Sequence, residues 1–239
     1  MLTLEGEHWW YRARRSILER ALAELMGSTQ RGLTAGVGAR EEAELLARWT
    51  NLVAIDIAPM DPVFNTLGSA TQADAARLPF SDSSFDAVFL FDVLEHIEDD
   101  GRALTEFRRV LKPDGGILLT VPAFMFMYGV QDRVSKHFRR YRRGGLNQLL
   151  ERAGFTVSYS SYFNTFLFPP IAAIRGLRRL FPSAHPPSGD GGDFDLRLPR
   201  VVERTLEAMF RSERRAIPNW EIPVGVSLMA YAQPASTSS

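Results

Sequence analysis

Short apolar runs alternate along this chain with longer amphipathic stretches. The runs are "GLTAGV" from Gly32, "NLVAID" from Asn51, "FDAVFLF" from Phe85 and "GGILLTV" from Gly115. Each has the length and composition of a buried strand. "GSATQAD", from Gly68, reads as a further strand between the second and fourth elements. The stretch "EEAELLARW" repeats its apolar residues at helical spacing. So does "DDGRALTEFRRVLK", a helix predicted to end at Pro113 and Gly115. Pro122 is expected to stop the strand that follows.

The flanks extend the pattern. "GEHWWYRARRSILERALAELM" predicts a helix whose Ile17, Leu18, Ala21, Leu22 and Leu25 make one apolar stripe. "RGGLNQLLERAG" and "LPRVVERTLEAMFRSERRA" predict later helices. "FTVSYSSYF" and "PVGVSLMAYA" predict later strands. "PSAHPPSGDGGDFD" has the composition of an exposed loop, and "QPASTSS" that of a frayed tail. Strands alternating with helices predict an α/β fold, a parallel sheet wrapped by helices on both faces. "FLFPPIAAIRGLRRLF", with Arg175, Arg178 and Arg179, is read as a core helix with a charged outer side. The other readings are a lid over a lipophilic pocket and a segment lying at a membrane surface.

Composition narrows the function. The 239 residues suit a single domain, and a formal net charge of zero argues against a nucleic-acid partner. There is no cysteine, which excludes disulfides, thiol nucleophiles and thiolate metal sites and fits a reducing cytoplasm. The first residues lack the apolar core of a signal peptide, and no apolar run is long enough for a transmembrane segment. The four histidines are scattered and no acidic cluster has ligand spacing, so no metal site is expected.

Ligands of open α/β sheets sit beyond the carboxyl ends of the strands. After the first strand comes Gly36-Val37-Gly38, a turn that lets backbone amides approach a ligand. Asp56 ends the second strand, at the spacing of a carboxylate that accepts ribose hydroxyls. Asp74-Ala75 follows the third and Asp92 the fourth. A nicotinamide site wants G-x-G-x-x-G, and position 41 is Glu, whose charge would repel a pyrophosphate.

The block "ADAARLPFSDSSFDAVFLFDVLEHIEDDGRALTEFRRVLKPDGGILLTVP" resembles the centre of class I S-adenosylmethionine-dependent methyltransferases, in particular the type 11 group. "HWWYRARRSIL", "KHFRRY" and the closing strand are similar to a bacterial branch of that family. The resemblance implies a Rossmann-like, doubly wound seven-stranded sheet, mostly parallel with the last strand antiparallel. It implies that Gly36 and Gly38 pass the methionine half of S-adenosylmethionine. Asp56, with Ile57 beside it, would bind the ribose. Asp74 and Ala75 would meet the adenine, and Phe91 and Asp92 the sulfonium region. Leu94, Glu95 and His96 would lie beside the transferred methyl.

Two positions depart from the family, which usually has an acidic residue at Thr34 and glycine at Arg40. Arg40 either obstructs the cofactor or pairs with its carboxylate. If the acceptor is a hydroxyl, His96 and His137 are the candidate bases, with His8 and His185 less well placed. Arg139, Arg140 and Tyr141 either bind an anionic substrate group or dock their segment onto the domain. Trp9, Trp10 and Tyr11 either cover the pocket, with Arg12 reaching the cofactor carboxylate, or are ordinary packing. The expected domain spans 1–239, with an N-terminal helical cap at 1–28 and a substrate-side element at 160–215. The expected activity is in-line methyl transfer to an oxygen, nitrogen or carbon of a small molecule, leaving S-adenosylhomocysteine. The alternative is a catalytically silent, methyltransferase-like partner subunit.

Overall fold

A computed structural model describes residues 8–27, 29–36, 40–60, 64, 66–180 and 199–236. The predicted loop at 182–195, with His185, and the glycine at 38 lie outside the described residues. Seven strands form one sheet: β1 (Arg31–Ala35), β2 (Asn51–Asp56), β3 (Ser69–Gln72), β4 (Phe85–Phe91), β5 (Leu111–Pro122), β6 (Phe155–Phe163) and β7 (Ser227–Pro234). Their order is β3-β2-β1-β4-β5-β7-β6, and β7 runs antiparallel to both of its neighbours. The strand order reverses between β1 and β4, which pair in parallel at Leu33 and Val88. That reversal opens a crevice at the carboxyl ends.

Alternate residues of the central strands feed two cores, one on each face. Leu33, Val88, Leu90, Ile117 and Leu119 pack with Leu104 and Phe107 of α3 (Asp100–Val110) and Leu146 and Leu150 of α5 (Arg143–Arg152). Ala87, Phe89, Phe91 and Leu118 face the other way. They meet Ile17, Leu18 and Leu22 of α1 (Trp9–Leu25), Leu45 and Leu46 of α2 (Arg40–Ala47) and Phe210 of α7 (Arg200–Ser212). With both faces covered, β4 is a near-continuous apolar run.

One predicted boundary moves. Helix α3 ends at Val110, before Pro113, and β5 begins at once with Leu111 paired to Phe85. Register then shifts until Ala87 meets Gly116, so Pro113 and Gly115 sit in an irregular stretch of strand, where proline is tolerated. Strand β5 ends at Pro122, as expected. The Pro122 carbonyl accepts the Tyr141 amide at 2.9 Å.

Helix α4 (Val130–Val134) follows β5, and α6 (Phe168–Leu180) follows β6. Among the described residues no helix is long and apolar enough to cross a membrane. Glu213, just after α7, accepts the amides of Asn164, Thr165 and Phe166, which ties the end of β6 to the end of α7.

Candidate functional site

A cleft of about 710 Å³ opens at the carboxyl ends of β1, β2 and β4. Gly36, Asp56, Ile57, Asp74, Ala75, Phe91, Asp92 and His96 all line it, as do Val93, Ile97 and Phe138. Most of the ligand positions expected from the sequence therefore meet in one place. A second hollow, of about 730 Å³, lies at the opposite strand ends beside Arg31, Asp86 and Lys112.

Gly36 has φ +71°, and a Cβ there would lie 2.8 Å from Val93 Cγ2. Glycine is thus required by both backbone and space. Gly36→Ala is expected to destabilise the protein by about 1–2 kcal/mol, the cost of the left-handed conformation for an L-residue. Equilibrium urea unfolding reads this, and an unchanged midpoint would refute it. Asp56 Oδ1 accepts the Ala58 amide at 2.8 Å and Asp74 Oδ1 the Ala76 amide at 2.8 Å, turns that aim both carboxylates along the cleft rim. Thr34 is buried and donates its hydroxyl to the Phe89 carbonyl at 3.2 Å.

Asp92 belongs to a network that sequence reasoning missed. Arg14 of α1 is 2% exposed. Its Nε donates to Glu42 Oε1 at 2.7 Å, and its Nη2 to Thr120 Oγ1 at 2.9 Å. Its Nη1 lies 2.9 Å from Asp92 Oδ2. Thr120 in turn donates to Asp92 Oδ1 at 3.1 Å. Burial works to lower the Arg14 pKa, but the Asp92 and Glu42 carboxylates outweigh it and hold the guanidinium charged. A signal existed: Arg14 precedes Ile17 and Leu18 by one helical turn, so it belongs to the buried stripe. Arg12, proposed to reach the cofactor, instead pairs with Glu207 of α7. Trp9 is buried, and the Trp10 ring covers the Arg14 guanidinium at 5.2 Å.

Beyond β4, a short 3-10 turn carries Leu94, Glu95 and His96. Glu95 is fully buried and neither carboxylate oxygen has a hydrogen-bond partner. Burial, then the Asp92 charge, pushes its pKa well above the usual carboxylate range. Burial, then His137, lowers that of His96.

The histidines are not scattered in space, as the sequence suggested. The His96 and His137 rings lie edge to face with centroids 4.6 Å apart. The Phe138 amide donates to the Glu95 carbonyl at 2.8 Å and holds the two segments together. Arg139, Arg140 and Tyr141 are all engaged by the protein. Arg139 pairs with Asp100 at 2.9 Å. Arg140 is buried and donates to Asp132 at 2.6 Å. The Tyr141 hydroxyl donates to Asp100 at 2.9 Å. Arg139 and Tyr141 dock their segment onto the loop after β4 and the start of α3, Arg140 docks it onto α4, and none of the three lines the cleft.

Residues 33–119 match the type 11 methyltransferase domain family. A Mycolicibacterium smegmatis protein named "probable S-adenosylmethionine-dependent methyltransferase" is 30% identical over 165 residues, 64% of this chain and 62% of that protein. The chain thus spans less than two thirds of that relative's length. Among solved structures, Haemonchus contortus phosphoethanolamine N-methyltransferase 2 in complex with S-adenosyl-L-methionine superposes with a TM-score of 0.53. It is 19% identical, and the match covers 95% of this chain and 53% of that one. The complex of the Haloferax volcanii Trm112 methyltransferase activator with a methyltransferase gives a TM-score of 0.59 at 18% identity, covering 98% and 92%. At such identities these two show the fold alone. Residues 33–119 thus match the type 11 methyltransferase domain, within a seven-stranded sheet whose fold is shared with the superposed methyltransferases.

Proposed function

We propose that this chain binds S-adenosylmethionine in the cleft and transfers its methyl group to a small-molecule acceptor. The charge of the lining carries the reading. Asp56, Asp74, Asp92, Glu98 and Asp99 line the cleft, with no lysine or arginine among the described residues. Such a wall suits a cofactor with a sulfonium and an ammonium, and repels the pyrophosphate of a dinucleotide.

S-adenosylmethionine supplies a methyl group that is already electrophilic. The chain's residues hold and orient it. Gly36 lets the backbone approach the methionine half, Asp56 accepts the ribose hydroxyls with Ile57 beside them, Asp74 and Ala75 meet the adenine, and Phe91 and Asp92 flank the sulfonium. His96 and His137 stand at the acceptor end, where the acceptor's proton must leave. Arg139, Arg140 and Tyr141 position that end. The described residues of the 160–215 element form the substrate side and those of 1–28 the cap. In this reading the protein's main contribution is to align the acceptor with the methyl and exclude water.

The test is calorimetric titration with S-adenosylmethionine, S-adenosylhomocysteine and NAD. Micromolar binding of the first two and none of NAD is expected. Asp56→Ala should weaken cofactor binding about 10- to 100-fold through the lost ribose bonds, ~1.4–2.7 kcal/mol. Equal affinity in the folded variant would remove the ribose assignment. The second reading, a silent partner subunit, is favoured by Thr34, whose hydroxyl is committed to Phe89 and which carries no charge for an ammonium. Absence of binding by either cofactor form would decide for it.

A further inference from the structure

We propose that Glu95, His96 and His137 bind a divalent transition-metal ion at the acceptor end of the cleft, and that the ion holds an acceptor hydroxyl. The proposal deepens the methyltransferase reading and rests on it for the identity of the acceptor. The site itself stands on geometry. One ligand atom from each of the three residues lies within 4.8 Å of the other two. Around an ion with bonds of about 2.1 Å, tetrahedral ligand atoms sit ~3.4 Å apart, so side-chain adjustments of about 1 Å close the site. Two imidazoles and a carboxylate suit a first-row transition ion better than magnesium or calcium.

Two further observations point to a cation. The Glu95 carboxylate is fully buried and lacks a hydrogen-bond partner at both oxygens, an arrangement that costs free energy unless a cation or proton compensates it. The neighbouring arginines are engaged elsewhere, Arg14 by Glu42 and Asp92 and Arg140 by Asp132.

The outer partner of His137 also fits. His137 Nδ1 lies 3.0 Å from Asp132 Oδ1, and Asp132 accepts from Arg140 Nε at 2.6 Å and the Gly129 amide at 2.7 Å. A carboxylate there makes Nδ1 the donor and leaves Nε2 as the ligand atom.

His96 also lines the cleft, so an ion held there faces the acceptor. Coordination would lower the pKa of an acceptor hydroxyl. The O–H bond breaks and its proton passes to solvent water. The oxygen forms the new bond to the methyl carbon, and the S–CH₃ bond breaks with its electron pair staying on sulfur. The two histidines then act as ligands rather than as bases, and the favoured acceptor is an alcohol or phenol.

The test uses untagged full-length protein stripped with chelator. Zn²⁺ is titrated by calorimetry and Co²⁺ by visible absorption. One ion per chain is expected, with cobalt bands of a nitrogen- and oxygen-ligated site. His137→Ala and Glu95→Gln should each weaken metal binding roughly tenfold or more, while both variants stay folded and S-adenosylhomocysteine affinity stays near that of the parent. Wild-type protein that binds S-adenosylhomocysteine but no metal would overturn the site, as would variants that bind metal like the parent. Metal binding lost in the variants, in a protein that binds no S-adenosylhomocysteine, would support the site while removing the cofactor reading.

Discussion

Arg14→Met is expected to lower the free energy of unfolding by about 3–5 kcal/mol, the usual cost of breaking a buried ion pair from one side. Methionine refills much of the space left by the stem, so lost volume is a small part. The main cost is electrostatic. Glu42 and Asp92 lose the guanidinium that joins them, and Thr120 loses a donor. The Asp92 charge also acts on buried Glu95, so the two stranded carboxylates bear on a third carboxyl group. In a chain of this size the melting temperature should fall about 2–4 °C for each kcal/mol. Adding Asp92→Asn to Arg14→Met should recover part of the loss, because it removes one of the stranded charges. A loss under about 1 kcal/mol would mean that solvent screens the pair as it does on a surface.

Asp132→Ala should cost a similar amount, about 3–5 kcal/mol at neutral pH. The carboxylate is fully buried and accepts from Arg140, Gly129 and His137, with Arg175 Nη1 at 3.5 Å. Burial pushes its pKa up, but the bonds from His137 and Arg140 outweigh it and hold the group well below the ordinary carboxylate range. A folded-state pKa below the unfolded one gives stability that is complete above the unfolded value, about 4, and is lost only as pH falls toward the folded one. The gap between parent and variant should therefore be constant from pH 7 down to about pH 5 and shrink in stronger acid. Denaturant unfolding across that range reads both features. Pairing Asp132→Ala with Arg140→Met should restore stability in part. No recovery would show that the bonds to Gly129 and His137 carry the energy instead.

The fold was legible because its signals are local. The β4 run, the glycine at position 36 and the carboxylates at strand ends each announce themselves within a few residues, and the switch-point rule places them at one edge. The start of β5 was not legible, because proline normally ends a helix and nothing local says that the helix has already ended. Arg14 and Asp92 are 78 positions apart, and Arg14 and Thr120 are 106 apart. No spacing rule connects such residues. His96 and His137 likewise meet only because Phe138 is bonded to the Glu95 backbone and Arg139 and Tyr141 are bonded to Asp100. Whether the arginines bind substrate or dock their segment stayed open, because a sequence shows charge but not the partner that neutralises it.

The seat of α1 also bears on how the chain is made. Arg12 pairs with Glu207, 195 positions later, and Arg214 donates to Ser16 at 3.2 Å. Trp10 faces Phe210 at 6.4 Å between ring centroids. At about 5–20 residues per second, the ribosome delivers α7 some 10–40 s after α1. During that interval α1 carries Ile17, Leu18 and Leu22 without the cover that α7 and β7 later complete. Completion of the fold must wait for the carboxyl-terminal elements, and a chaperone that holds the amphipathic α1 would act in that window.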